Sequence, residues 1–201
     1  MDLFPIAGSG APEAIRALRP CVTHEQAIDT FRRGLAGGAR RLARGPLRSV
    51  AEVYIPFRVY VATLSRGVRR EVVVLGVDAV SGVLDVYRFD GVPPAAEVVQ
   101  ISTRNHLAPI LSTTTARDLL ASRMRRLMYQ RAGFLAGPFQ FDAEPIDAVL
   151  HVPYWAGFFG RTEAASIVVM DAVRRQIEGA KVKRLIREWI NGEVPVRASA
   201  V

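Results

Sequence analysis

Three histidines, one cysteine and a pair of aspartates in matching contexts are the residues here whose types could do chemistry. His24, His106 and His151 fall in a helix cap, a connector and a strand, and no two stand at the i, i+4 spacing of a helical metal pair. Cys21 follows a proline with no histidine or basic residue beside it, so nothing adjacent activates its thiol, and a single cysteine excludes an internal disulfide. Asp78 and Asp171 each close an apolar run as Asp-Ala-Val, where two carboxylates could serve as general acid and base if they met. A strand-end aspartate accepting hydrogen bonds from turn amides explains the same pattern without chemistry. Gly8-Ser9-Gly10 precedes Pro12 with no strand ahead of it, and there is neither a Gly-x-Ser-x-Gly elbow nor a Walker pattern. The sequence therefore assigns no catalytic residue, no metal and no cofactor, and a non-catalytic protein is expected.

The residues that invite a functional reading are of another kind. The segment VYIPFRVYV, residues 53 to 61, recurs as LHVPYWAGF, residues 150 to 158, with Pro56 matching Pro153. Strand alternation sorts each segment into two rows. Val53, Ile55, Phe57, Val59 and Val61 match Leu150, Val152, Tyr154, Ala156 and Phe158, and this row is expected to face the helix. The other row carries Tyr54, Arg58 and Tyr60, matched by His151, Trp155 and Gly157, with Phe159 two residues on. It is aromatic and basic where a solvated sheet would show Thr, Lys and Glu. Tyr54, Arg58, Tyr60, His151, Trp155 and Phe159 are accordingly the candidate partner-binding residues.

The elements that would position them also come twice. Thr23-His24-Glu25-Gln26 is a capping box, and Thr115-Ala116-Arg117-Asp118 approximates one. Each opens an amphipathic, arginine-bearing helix that ends at Gly-Pro, Gly45-Pro46 and Gly137-Pro138. Gly34, Gly37 and Gly38 in the first helix would let another element approach closely. After the proline strands come VVVLGVDAV and SIVVMDAV. Ser81-Gly82 then turns the first copy into a further strand, whereas Arg174-Arg175 stands in the second, whose next strand is brief before a closing helix, Lys181 to Ile190.

The expected fold is α+β: a tandem duplication of a helix-strand-strand-strand unit, with helices on one face of mostly antiparallel sheets and a C-terminal closing helix. Its divisions are an N-terminal extension over 1–20, a first unit over 21–90, a connector over 91–112 with a strand at Glu97 to Ser102, a second unit over 113–192, and a flexible tail over 193–201. Thr23-His24-Glu25-Gln26-Ala27 resembles the helix opening, and VDAVSGVLDV, residues 77 to 86, the closing hairpin, of PepSY-type repeats of the cystatin-like class. The resemblance covers the first unit only. It implies a binding or inhibitory role and supplies no catalytic residue, and the chain departs from that usually exported family in lacking a signal segment.

A composition of 50% hydrophobic and 23% charged residues is that of an ordinary globular protein. The formal charge of +8 invites a polyanion, yet 25 of the 27 basic residues are arginines, as an arginine-rich coding bias would also produce. One cysteine and no long apolar run fit a cytoplasmic protein without a membrane segment. Three coverings of the aromatic row are physically distinct: the two units packed sheet to sheet, a second chain, or single-stranded RNA stacked on Tyr54, Tyr60 and Trp155. The function expected is an interaction or scaffold protein that binds a protein partner or another copy of itself, forming a homo-oligomer. An arginine-rich RNA-binding module, with nucleic acid as partner, is the alternative.

Overall fold

The two proline-bearing segments become the longest strands of the protein, 20 residues over Leu47–Arg66 and 21 over Phe139–Phe159. A proline has no amide to donate, but its carbonyl remains an acceptor. Pro56 accepts from Ala79 and Pro153 from Ala172, at 2.8 and 3.0 Å. The computed structural model describes residues 11–33, 45–132, 139–160 and 166–194. In chain order its elements are β1 (Glu13–Leu18), α1 (His24–Arg33), β2 (Leu47–Arg66), β3 (Arg69–Asp78), β4 (Tyr87–Phe89), β5 (Val98–Thr103), α2 (Thr113–Ala132), β6 (Phe139–Phe159), β7 (Ser166–Asp171), β8 (Gln176–Ile177) and α3 (Ala180–Ile190). The fold is α+β with a mixed, mostly antiparallel sheet. Its strand order is β4-β3-β2-β6-β1-β5, with β7 pairing β6 and β8 pairing β7.

Local signals placed the helix starts unequally. The Thr23 amide donates to Gln26 Oε1 and the Gln26 amide to Thr23 Oγ1, at 3.1 and 3.3 Å, which is the reciprocal capping box expected. The second helix begins two residues before the expected cap. Ser112 Oγ, not Thr115, takes the orphan amide, accepting from Thr115 N at 3.1 Å. The Gly137-Pro138 stop and Gly34, Gly37 and Gly38 lie outside the described residues. Helix α3 spans the expected stretch, with Val182, Leu185 and Ile186 buried and Trp189 half-buried. No helix among the described residues is long and apolar enough to cross a membrane.

Contacts group the chain into two compact units that do not follow chain order. The central unit comprises Pro56–Val98 and Ala108–Leu150. In it β2 pairs antiparallel with β3 from Phe57↔Asp78 to Arg66↔Arg69, and α2 lays Ala116 and Leu120 over Tyr60, Ala62, Val73, Leu75, Val77 and Ala143. The terminal unit comprises Met1–Ile55, Val99–Leu107 and His151–Val201. In it β6 pairs antiparallel with β7, Trp155 opposite Met170 and Phe159 opposite Ser166. Helix α1 packs Ala27 and Phe31 against Trp155, Phe159, Val168 and Met170, with Leu47 and Val50 at the margin. Strand β1, inside what reads as an extension, pairs parallel with β6 at Ala17↔His151.

Helix α1 thus lies over the β6–β7 hairpin and α2 over the β2–β3 hairpin, neither over the hairpin that follows it in the chain. β2 meets β3 only from Phe57 onward, ten residues past its start at Leu47, or ~33 Å along a strand. The start of β2 lies instead beside the end of β6, where the Gly160 amide donates to the Pro46 carbonyl at 3.0 Å. The row of side chains under each helix is also the one read as facing away from it: Trp155 and Phe159 under α1, Tyr60 and Ala62 under α2.

Candidate functional site

The six candidate partner residues do not form an open surface. Tyr60 is wholly buried, Trp155 is 7% exposed, Tyr54, His151 and Phe159 are buried, and Arg58 is half-buried. Three of these side chains, Trp155, Arg58 and Tyr60, hold the segments that lead into the helices. Trp155 Nε1 donates to the Val22 carbonyl at 2.9 Å, two residues before α1. At the matching position Arg58 Nε donates to the Leu111 carbonyl at 2.7 Å, two residues before α2, and its Nη1 donates to Thr113 Oγ1 at 2.8 Å. The backbone repeats the arrangement. Cys21 and Val22 amides donate to the Ala172 carbonyl, and Ile110 and Leu111 amides to the Ala79 carbonyl. Tyr60 adds a bond from its hydroxyl to the Thr113 carbonyl at 2.7 Å, whereas the matching Gly157 leaves room for Phe31, whose ring a Cβ there would meet at 2.8 Å.

The aromatic and basic row is therefore an internal device: long donors that reach a carbonyl beyond the sheet and fix where a helix begins. Stacking of RNA bases on Tyr54, Tyr60 and Trp155 is closed off by the same burial. Charge-assisted bonds of this kind contribute about 1.5–3 kcal/mol. Arg58→Met, which keeps the stem and removes the donors, is expected to destabilise the protein by about 2 kcal/mol in a urea melt. An unchanged midpoint would show that the guanidinium holds nothing.

The titratable residues resolve into separate settings. Asp78 accepts from the amides of Ser81, Gly82 and Leu84 at 2.8–2.9 Å and from Ser81 Oγ at 3.1 Å. Asp171 accepts from Val173 and Arg174 amides, both at 2.8 Å. Each is turn scaffolding within its own unit. In the terminal unit, burial raises the Glu52 carboxyl above its ordinary range, against a hydrogen bond from Tyr54 and the His24 imidazole, which both lower it. The Tyr54 phenol is raised by the same burial and by Glu52. His24 lies exposed with its ring 5.3 Å from that of Trp155. His106 sits between the Thr103 carbonyl and Glu13 Oε2, and His151 lies against it at 6.0 Å between centroids. Cys21 is a free, exposed thiol. Among the described residues no three metal-ligating side chains gather.

The open surface of the central unit is the face of its sheet opposite α2. Even positions of β2 and odd positions of β3 lie under the helix, so the alternate set points away: Val61, Thr63 and Ser65 on β2, Arg70 and Val72 on β3, and Gln140, Asp142 and Glu144 on β6. Together they line a groove of about 450 Å³. Val72 is 59% exposed in it. The sequence carried a signal for this face in GPFQFDAE, where polar and apolar residues alternate from Gln140 to Glu144 as on a half-solvated strand. That signal lies ahead of the repeated proline segment, and Val61 reads as one more member of the core row. Neither a protein-family model, nor a curated protein, nor a solved structure matches this chain.

Proposed function

We propose that this is a non-catalytic, cytoplasmic interaction protein that presents the groove of its central unit to a partner. The observation that carries the reading is the open sheet face itself. The aromatic row beneath α1 and α2 is buried, while this face keeps Val61 and Val72 beside Arg70, Asp142 and Glu144 in contact with water. A mixture of apolar and charged side chains on a strand surface suits a protein partner better than a small reactant. The PepSY-like resemblance of the first repeat points the same way, toward binding. We also read the chain as a tandem duplication, supported by the matched bonds of Trp155 with Val22 and Arg58 with Leu111, and of the Ala172 and Ala79 carbonyls.

A photo-reactive amino acid placed at Thr63 tests the reading in living cells. A covalent adduct should form at that position and be lost when Val72→Asp is added. The same probe at Ser122, exposed on α2, should give none. Absence of any adduct at Thr63, or one indifferent to Val72→Asp, would remove the groove as the partner surface.

A further inference from the structure

We propose that the occupant of the groove is the same face of a second copy of this chain, related to the first by a two-fold axis. The proposal deepens the interaction reading above and rests on it. It follows from where the charges stand. On β3, Arg70 has no anionic partner among the described residues. Nor has Glu144 a cationic one on β6, and Asp142 Oδ1 accepts only the neighbouring Ala143 amide, at 2.9 Å. Strand order puts β2 between them, so the cation occupies one flank of the groove and the two carboxylates the other, with Val61 on β2 between the flanks and Val72 beside Arg70 on β3.

A two-fold axis running along β2, between two such faces, exchanges the flanks. β3 of each copy then lies over β6 of its partner, as sheets packed face to face ~10 Å apart allow. Each Arg70 meets the strip holding Asp142 and Glu144, twice over, while Val61 of β2 meets Val61 of the second copy at the axis. That is the self-complementarity an isologous dimer requires. Other occupants fit the pattern less well. A phosphate backbone would face two carboxylates, and a basic peptide would bring like charge to Arg70.

The mass of the purified, full-length protein in solution decides the matter, with a charge exchange as its control. The wild type is expected at twice its 22.1 kDa. Arg70→Glu alone, and Glu144→Arg alone, should each weaken association by more than about tenfold and shift the protein toward monomer. The double variant Arg70→Glu, Glu144→Arg restores opposite charges across the axis and should recover the dimer. Both positions are exposed, so the melting temperature serves as the check that each variant is folded. A wild type that stays at 22.1 kDa up to about 100 µM overturns the proposal, as does a dimer indifferent to both single changes, or a double variant that remains monomeric. A monomer in purified form that still gives a Thr63 adduct with a different protein in cells sinks self-association alone. A monomer without any adduct sinks the interaction reading as well.

Discussion

Trp155→Asp is expected to cost the protein its fold. The indole lies in the terminal unit among Phe31, Phe159 and Met170, with its N–H on the Val22 carbonyl. Truncating a buried tryptophan removes about 3–5 kcal/mol, and the Val22 carbonyl loses its partner as well. A carboxylate left in that apolar space adds a desolvation cost of several more kcal/mol unless it takes up a proton. Set against the roughly 5–15 kcal/mol that stabilise a whole domain, the sum leaves little. Circular dichroism should show the thermal transition lowered by tens of degrees or absent at 25 °C. Trp155→Phe, which keeps most of the apolar volume and loses the donor, should fall between. A Trp155→Asp protein melting within a few degrees of wild type would mean that α1 does not rest on this ring.

Acid is expected to weaken the protein through His151. The imidazole is buried, its Nδ1 lies 3.2 Å from the Arg16 carbonyl and so carries the proton, and its Nε2 has no partner among the described residues. Burial, first, lowers its pKa from the usual 6.5 to about 4. The neighbouring His106 pushes the same way, while Glu13 and the carbonyls of Arg16 and Leu107 oppose. The folded state thus holds the neutral ring, whereas the unfolded chain binds a proton below pH 6.5. Stability from this group is complete above pH 6.5, declines as pH falls through the interval down to about 4, and levels off beneath it. The total is on the order of 3 kcal/mol. Urea melts at pH 7, 5.5 and 4 would compare the wild type with His151→Asn, whose amide can still donate to Arg16. Carboxylates titrate in both proteins, so the difference between the two curves isolates the histidine. It should move in favour of the variant on acidification, and parallel curves would refute the assignment.

Local chemistry explains which features of this fold could be read from the chain. The Thr23 capping box, the brief β8 and α3 depend on neighbours in sequence, and each stands where its residues place it. The alternation of β2 and β6 likewise separated Tyr154 from Trp155 onto opposite faces, paired with Asp171 and Met170. What alternation does not encode is which face a helix covers. Residues 47 to 56 of β2 precede its pairing with β3, and α1 packs on β6 and β7. An arginine or tryptophan in a strand reads as a surface anchor because both types are enriched at interfaces. Here the same reach serves carbonyls inside the chain, at Leu111 and Val22. The groove was less legible. Asp142, Glu144 and Arg70 become one surface only when β3, β2 and β6 are set side by side.

The separation of Val22 from Trp155 by 133 residues has a consequence during synthesis. The central unit draws on residues 56 to 150 alone and can close once that stretch has left the ribosome. Helix α1, made first, must wait for the end of β6 and for β7 before Ala27 and Phe31 find their seat. At about 5–20 residues per second that wait is roughly 7–27 s, during which a short amphipathic helix has too few turns to persist unsupported. Helix α1 therefore docks only after the strands of the central unit have been made, and the nascent segment around Phe31 is exposed in the interval.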